Sequence, residues 1–342
     1  MNISVAAVYD YDGDGDEDLF VGARSVPYLY GVTPQSYLYQ NDGSGHFKDV
    51  TPPSLGYAGM ITSAQWADVN GDGRKELIVA GEWMTPKIFT YRNGKFEELK
   101  NTGLDNMYGW WQSLAVSDVN GDGREDLIVG NIGENFYLRP DKDNPVKLWL
   151  KDFDGSGSVE QFLTRTIEGR DMPVFLKREV QDQFPFLKKQ NLKHSDYAKK
   201  SIQDLFGEEI LKGAQVKLFN YCSSVVAINN GNGSFTVKEL PVYVQLSSVN
   251  AICASDVNGD GKPDLLLGGN MFNFPPQFGR LDASYGHVLI GNGKGGFRYV
   301  ESKVSGINVR GETKDVKEIK SKKERSFLFV QNDSVPVLYQ LK

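Results

Sequence analysis

The chain has 342 residues, of which 40% are hydrophobic, so it can bury a sizeable core and is not mainly disordered. Its formal net charge of -6, without a stripe of Lys and Arg, argues against a nucleic-acid-binding protein. The sequence contains no run of about 18 apolar residues that could span a membrane. Its two cysteines are too few for a disulfide framework.

The first predicted element is a strand with the sequence NISVAAVY, which leads into the acidic stretch DYDGDGDEDL at residues 10–19. Carboxylates this dense repel one another unless a cation compensates them, and hard divalent cations are bound by clustered oxygens. The same pattern recurs four more times, beginning at Asp68, Asp118, Asp152 and Asp256. Five copies in one register indicate a structural repeat rather than isolated acidic turns.

Each copy, here called acidic loops 1 to 5 in chain order, predicts a frame of calcium ligands. Positions 1, 3 and 5 carry oxygen side chains, positions 4 and 6 are glycine, position 7 can offer its carbonyl, and position 9 is Asp or Glu. An EF-hand would need glutamate at position 12, where these loops carry Val or Leu. The sequence therefore predicts up to five Ca²⁺ ions, and the alternative for any single loop is a plain turn without metal.

The predicted metal-site residues are, loop by loop, Asp10, Asp12, Asp14, Asp16 and Asp18; Asp68, Asn70, Asp72, Arg74 and Glu76; Asp118, Asn120, Asp122, Arg124 and Asp126; Asp152, Asp154, Ser156, Ser158 and Glu160; and Asp256, Asn258, Asp260, Lys262 and Asp264. Acidic loop 4 is predicted to be the weakest site, because serines replace stronger ligands at two of its positions.

A second motif follows the acidic loops at a distance, in LYQNDGSGHFKDV, FTYRNGKFEEL, AINNGNGSFTVKEL and LIGNGKGGFRYV, and each copy predicts a further hairpin. Each unit then has four strands, which predicts an all-β fold, a β-propeller of four-stranded blades in one domain, 1–342. Six units are counted, and a seventh is left open. Their predicted extents are 3–52, 60–102, 110–150, 147–241, 248–302 and 304–342, the last ending after its third strand.

The fourth predicted unit contains an insertion at residues 168–215. Apolar residues near a 3.6-residue period in HSDYAKKSIQDLFGEEILKGA predict a helix, with Ser195 capping its start and Gly213 ending it. Two interpretations stay open for this segment, a cap packed on the propeller or a docking element. The sequence contains no Ser-His-Asp constellation or GxSxG elbow, and no catalytic residue is predicted.

These repeats resemble the FG-GAP or VCBS repeat of integrin α-subunit propellers and of many secreted bacterial proteins. The order WWQSLAVSDVNGDGREDLIVGNIG, KDFDGSGSVEQFL and GRLDASYGHVLIGNGKGGF is similar to the C-terminal propeller region of large Bacteroidetes-type surface proteins. The resemblance implies calcium binding and an extracellular, cell-surface or periplasmic location. It also implies that the chain is a fragment of a longer protein, with an export signal upstream and other domains as partners.

The predicted function is a non-catalytic calcium-binding module for adhesion to a glycan or protein. One alternative is a calcium-dependent polysaccharide lyase or hydrolase on a propeller scaffold, and another is a purely structural assembly domain. The ligand is expected on the face opposite the acidic loops, where long connections carry aromatic and arginine side chains. Trp83, Tyr137 and Arg280 are the predicted contacts.

Overall fold

The computed structural model describes residues 2–190, 193–321 and 324–341. Most regular structure in these ranges is strand, organised as antiparallel sheets of mainly four strands, which confirms the predicted all-β class. No helix in the described ranges has the length and apolar character needed to cross a membrane.

The first two sheets each follow the chain in simple meander order. Sheet 1 comprises β1 (Asn2–Tyr9), β2 (Asp18–Ser25), β3 (Tyr37–Asn41) and β4 (Phe47–Asp49). The short helix α1 (Pro53–Gly56) leads to sheet 2, which comprises β5 (Met60–Ala67), β6 (Glu76–Met84), β7 (Lys87–Arg92) and β8 (Lys95–Glu98). A two-residue strand, β9 (Gly109–Trp110), also pairs with β6.

Sheet 3 is interrupted after its second strand. It begins with β10 (Ser113–Ser117) and β11 (Asp126–Gly130), and the chain then forms a complete inserted sheet of β12 (Val146–Lys151), β13 (Glu160–Ile167), β14 (Arg170–Pro173) and β15 (Gln215–Phe219). Between β14 and β15 lie the helices α2 (Lys177–Gln183), α3 (Leu187–Gln190), α4 (His194–Tyr197), α5 (Ile202–Phe206) and α6 (Glu208–Leu211). The chain then returns to sheet 3 with β16 (Val225–Asn229) and β17 (Phe235–Glu239).

Two further sheets complete the described chain. A 3₁₀ turn (Val244–Leu246) leads to sheet 4, which comprises β18 (Val249–Ser255), β19 (Asp264–Gly269), β20 (His287–Gly291) and β21 (Phe297–Val300), with a second 3₁₀ turn (Pro276–Phe278) before β20. Helix α7 (Ser302–Ser305) precedes sheet 5, which has the three strands β22 (Thr313–Lys320), β23 (Arg325–Gln331) and β24 (Val337–Gln340). The prediction that the last unit ends after its third strand is confirmed.

The predicted boundaries of the third and fourth units, 110–150 and 147–241, are wrong. In the structure β11 pairs with β16, with Leu127 opposite Ala227, so the hairpin AINNGNGSFTVKEL belongs to sheet 3. The predicted unit 147–241 places that hairpin with acidic loop 4 instead. The insertion is therefore a whole sheet with helices, placed between the second and third strands of sheet 3.

The helices occupy residues 177–211, inside the predicted range 168–215, but that range also contains β14. The single helix predicted between Ser195 and Gly213 is three short ones. Gly207 has φ +77° and separates α5 from α6, because a helix cannot continue through a left-handed residue. Ser201, rather than Ser195, caps a helix, since its side chain accepts a hydrogen bond from the Asp204 N–H.

Successive sheets pack face to face through the alternation of side chains along each strand. On β11, Leu127 and Val129 pack in a buried cluster with sheet 2, while the intervening Ile128 joins a cluster with Leu265 and Leu267 of sheet 4. Comparable clusters join sheet 1 to sheet 2 and sheet 4 to sheet 5. Both faces of a central sheet are thus buried, as in a propeller-like stack of blades.

The inserted sheet packs at the end of sheet 2 that lies away from acidic loop 2. Leu148 and Leu150 of the inserted sheet share a buried cluster with Trp83, at the far end of β6, and with Trp110. The helices cover the inserted sheet itself, where Phe184 and Phe206 pack against Phe153 and Phe162. The insertion therefore covers part of the face on which the sequence analysis expected an open ligand surface.

Candidate metal centres in the acidic loops

Each acidic loop joins the first and second strands of one four-stranded unit, as the sequence predicted. Loops 1, 2, 3 and 5 connect β1 to β2, β5 to β6, β10 to β11 and β18 to β19, while loop 4 connects β12 to β13 in the inserted sheet. The five loops therefore lie on five different sheets. The two groups of converging carboxylates found in the described residues each lie within a single loop.

The carboxylate at position 1 organises the loop through backbone hydrogen bonds. In loop 1, Asp10 accepts hydrogen bonds from the N–H groups of Gly13 at 2.7 Å and Gly15 at 3.0 Å. Both glycines have positive φ, at +82° and +98°, which residues with a Cβ rarely adopt. The same pair of bonds recurs, at 2.7–2.9 Å, to Asp68, Asp118, Asp152 and Asp256.

Positions 3 and 5 continue the turn by accepting hydrogen bonds from the N–H two residues later. In loop 5, Asn258 accepts from Asp260 at 2.8 Å, and Asp260 accepts from Lys262 at 3.0 Å. Such Asx turns hold the side-chain oxygens in a fixed geometry along the loop. The alternating oxygen side chains noted in the sequence thus form successive Asx turns along the loop.

In acidic loops 1, 2, 3 and 5 the position 9 carboxylate is buried and ties the loop to the sheet, whereas Glu160 of loop 4 is half-buried. Asp18 is 1% exposed and accepts from the Tyr11 N–H at 3.2 Å and from the Asn41 N–H, on β3, at 2.9 Å. Asp126 and Asp264 make the corresponding two bonds, to Val119 and Asn229 and to Val257 and Gly291. Burial raises the pKa of each of the carboxyl groups Asp18, Glu76, Asp126 and Asp264. This position therefore braces the hairpin and also borders the ligand frame.

Two of the loops bring three carboxylates close enough to share one ion. In loop 1, Asp10, Asp12 and Asp18 offer oxygens that all lie within 4.8 Å of one another. In loop 4, Asp152, Asp154 and Glu160 do the same. All-oxygen sets of this kind suit Ca²⁺, which takes six to eight oxygen ligands at about 2.3–2.6 Å. Loop 4 was predicted to be the weakest site from its ligand types alone, yet its carboxylates converge.

The other three loops have Asn at position 3, and the Asp at position 5 is paired with a basic side chain. Asp122 lies 2.6 Å from its own loop's Arg124, and Asp260 lies 3.5 Å from Lys262. Asp72 instead pairs at 3.2 Å with Arg92, from β7. These basic side chains compensate part of the negative charge of loops 2, 3 and 5. Those loops should therefore attract a cation less strongly than loop 1, which has a further carboxylate, Asp16, at position 7.

Amide side chains from the second hairpin of the unit also support the loops, which the sequence analysis did not anticipate. The Asn41 Nδ2 group donates to the Glu17 carbonyl at 3.2 Å, and Asn229 Nδ2 donates to the Glu125 carbonyl at 3.1 Å. Gln40 donates to Asp12 at 2.6 Å. The available signal was the Asn before the turn in LYQNDG and AINNGNG, which was interpreted only as a turn residue.

The three predicted ligand contacts are in different environments. Trp83 is 4% exposed, and its Nε1 donates to the Tyr30 hydroxyl at 2.9 Å. The inserted sheet covers most of its surface, and the remainder borders a cleft between sheet 2 and the inserted sheet. Tyr137 is 42% exposed and stacks on Phe278 with ring centroids 5.2 Å apart. Arg280 is exposed, with its guanidinium 4.1 Å from the centre of the Phe272 ring.

Comparison with known families identifies the repeat. Residues 10–79 and 68–129 match the profile of the FG-GAP-like repeat, and residues 248–289 match the profile of the FG-GAP repeat. These segments contain acidic loops 1, 2, 3 and 5. No curated protein matches the sequence significantly.

Three solved structures that resemble the chain have low sequence identity and low TM-scores. The V. cholerae biofilm matrix protein Bap1 is 12% identical with a TM-score of 0.32, and the match covers 96% of this chain and 74% of that one. Sqt1 of Chaetomium thermophilum is 12% identical with a TM-score of 0.31, over 100% and 82% of the two chains. The exotype rhamnogalacturonan lyase YesX is 13% identical with a TM-score of 0.29, over 98% and 60%. These scores are too low to carry an argument about fold or function.

Proposed function

We propose that this chain, whose residues 10–129 and 248–289 consist of FG-GAP repeats, is a calcium-binding β-propeller that acts as an extracellular, cell-surface or periplasmic adhesion module for a glycan or protein. The observation that carries the proposal is the repeated loop in which position 1 is fixed by two glycine N–H groups and further oxygens converge on the same turn. The role is binding rather than catalysis, and the sheets are the blades.

Calcium is proposed because of the charge that the loops concentrate. Loop 1 alone places five aspartates and Glu17 within ten residues. The converging carboxylates of Asp10, Asp12 and Asp18 repel one another at short range, and a divalent cation would turn that repulsion into attraction. Sites of this kind, with dissociation constants of about 10⁻⁴–10⁻³ M, fill at extracellular calcium concentrations, which supports the proposed location.

The acidic side chains already have a structural use, which supports a binding module over an enzyme. Position 1 and position 9 carboxylates accept backbone N–H groups in the described loops, and in loops 1 and 4 they also form the proposed ion sites. The converging carboxylates thus hold the turn and bind the proposed ion, and they need no catalytic role to explain their presence. Turnover of a polysaccharide from a broad panel would overturn the non-catalytic assignment.

The calcium proposal is tested by melting and by ion content. Binding to the folded state alone stabilises it, so the melting temperature in millimolar calcium should exceed that in excess chelator by several degrees. Asp12→Asn should remove one bound ion by elemental analysis. Glu17→Gln, which removes the same charge from an exposed position 8 of the same loop, should retain it. An unchanged melting temperature together with no bound ion would exclude calcium.

The binding role is tested separately on immobilised glycans and extracellular proteins, in calcium and in chelator. The expected result is retention on at least one class of ligand that depends on the folded module. Tyr137→Ala and Arg280→Ala are expected to weaken retention if the ligand contacts the loops that carry these exposed side chains. Failure to retain any ligand would favour a purely structural assembly role.

A further inference from the structure

A cleft of about 550 Å³ lies between sheet 2 and the inserted sheet, away from the acidic loops. Sheet 2 contributes Lys87 and Glu98, the connection to sheet 3 contributes Lys100 and Tyr108, and β15 contributes Lys217. This volume is in the range of small-molecule sites. The cleft exists only because the insertion packs on the end of sheet 2, so no single repeat could form it.

Two of its lysines have no carboxylate partner. The Lys100 ammonium is 2.6 Å from Glu98, but among the described residues neither Lys87 nor Lys217 has a carboxylate within 4.0 Å. Lys217 donates one hydrogen bond, to the Thr33 hydroxyl at 2.8 Å, which leaves two of its three N–H donors for other partners. Asp105, the other acid in the wall, accepts from the N–H groups of Asn101 and Gly103.

This arrangement disfavours the charged form of both lysines. Burial and the nearby charge of Lys87 lower the pKa of Lys217 to about 8, and burial also lowers the pKa of Lys87. Half-buried like charges that face one cleft without a salt bridge are destabilising, and Glu98, whose charge partly offsets that of Lys87, is already paired with Lys100. An oxyanion between them would satisfy the free donors and remove the repulsion.

The rest of the lining fits a sugar. Thr33 and Thr85 line the cleft with hydroxyl groups, and Gln215 adds an amide, while the Thr102 hydroxyl is already bonded to Asp105. Tyr57, which is 61% exposed, and Tyr108 contribute aromatic rings to the same wall. Hydroxyl partners beside aromatic rings match the polar edge and apolar face of a saccharide better than they match an extended acidic peptide.

We infer that this cleft binds an acidic saccharide unit, with its oxyanion between Lys87 and Lys217 and its ring against the tyrosines. The inference rests on the proposed binding role and gives that role a ligand class. The oxyanion is a carboxylate of a uronic acid or a sulfate ester, since both accept hydrogen bonds from ammonium groups. Neutral sugars lack the group that the two lysines require.

The test is calorimetric titration of the intact chain with glucuronate, glucose 6-sulfate and glucose at pH 7. Glucuronate or glucose 6-sulfate should bind, and which of them binds more tightly identifies the oxyanion, while glucose should bind at least about tenfold more weakly. Lys217→Gln should weaken the acidic sugar about tenfold. Lys294→Gln, the same charge change at an exposed lysine on sheet 4, should leave affinity within about twofold.

The pH profile separates a direct role of Lys217 from a structural one. Its ammonium form prevails at pH 7 and is mostly lost by pH 9, so affinity should fall about tenfold over that interval in the unaltered chain. That fall should be absent in Lys217→Gln. The other charged or titratable groups lining the cleft are Lys87, Lys100, Glu98, Asp105, Tyr57 and Tyr108, and they are unchanged in the variant.

The outcomes distinguish this inference from the proposed function. Equal binding of glucose and glucuronate, or full affinity in a folded Lys217→Gln variant, would overturn the acidic-saccharide cleft even if the chain adheres to other ligands. Binding of a pentaglutamate peptide but of neither acidic sugar would also overturn it. Binding of glucuronate without retention on any immobilised glycan or protein would preserve the cleft and refute the adhesion role.

Discussion

The Asp126 carboxylate accepts a hydrogen bond at 2.7 Å from the backbone N–H of Asn229, which lies on the far side of the inserted sheet in the sequence. Asp126 is the position 9 residue of acidic loop 3 and is fully buried. Its other oxygen accepts from the Val119 N–H at 3.0 Å. A single side chain thus fixes the acidic loop and closes sheet 3 across the insertion.

Asp126→Ala should therefore be strongly destabilising whether or not calcium is present. The change leaves two buried N–H groups without acceptors, and each unsatisfied donor costs about 1–3 kcal/mol. We expect urea denaturation to show a loss of about 2–4 kcal/mol in the free energy of unfolding. Glu125→Ala, at the adjacent exposed position, should change it by less than about 0.5 kcal/mol. Similar losses in the two variants would show that Asp126 does not brace the sheet.

The converging carboxylates predict the order in which acidic loops lose ions. Asp152→Asn removes one of three carboxylates that lie within 4.8 Å, whereas Asp122 is already paired with Arg124 at 2.6 Å. We expect calcium titration to show a larger loss of affinity for Asp152→Asn than for Asp122→Asn, by about tenfold. The sequence alone predicted the opposite order. A larger loss of calcium affinity for Asp122→Asn would instead support the order that the sequence predicted.

His287 should make stability depend on mildly acidic pH. The side chain is 4% exposed, neither ring nitrogen has a hydrogen-bond partner in the described part of the chain, and burial lowers its pKa to about 4. Between pH 6.5 and pH 4 the His287 side chain is protonated in the unfolded chain but stays neutral in the folded chain. The free energy of unfolding is therefore highest above pH 6.5 and decreases as the pH falls toward 4. A shift of this size corresponds to about 3 kcal/mol.

The measurement compares the unaltered chain with His287→Leu by denaturation at several pH values, all in the same calcium concentration. Other titrating groups contribute equally to both proteins, so the difference in unfolding free energy isolates the histidine. That difference should grow in favour of the variant as pH falls from 6.5 to 4. A constant difference would mean that His287 becomes protonated inside the folded protein.

Trp83 and Tyr137 should respond in opposite ways to truncation. Trp83 packs against Trp110 and Phe219, with ring centroids 5.2 and 6.0 Å away, so Trp83→Ala should cost about 3–5 kcal/mol of stability. Tyr137→Ala removes a partly exposed ring and should cost less than about 1.5 kcal/mol. Thermal or urea denaturation checks both. A Trp83→Ala protein as stable as the parent would show that Trp83 is not part of the core between sheet 2 and the inserted sheet.

The acidic loops, the hairpins on either side and the all-β class were predictable from the sequence, because each depends on interactions within about ten residues. The Asp10 carboxylate meets the Gly13 and Gly15 N–H groups inside one turn, and the alternation of Leu127, Ile128 and Val129 assigns side chains to opposite sheet faces. Such local rules operate wherever the segment lies in the fold.

The membership of strands in sheets was decided only by the tertiary structure. Residues 225–239 could pair with the strand next to loop 4 or with the strand next to loop 3, since the hairpin motif is the same in every unit. Closing a long loop costs only slightly more than closing a short one, so chain distance does not choose between them. The observed pairing of Leu127 with Ala227 and the bond from Asn229 to Asp126 decide for sheet 3.

The same placement determined which side chains are accessible. Trp83 is buried, and Lys87 and Lys217 line one cleft, only because the inserted sheet packs on the end of sheet 2. Nothing within ten residues of any of these positions encodes that contact. The sequence by itself determined the repeated turn and its proposed ion, because local hydrogen bonds form them, whereas the cleft required packing between segments more than a hundred residues apart.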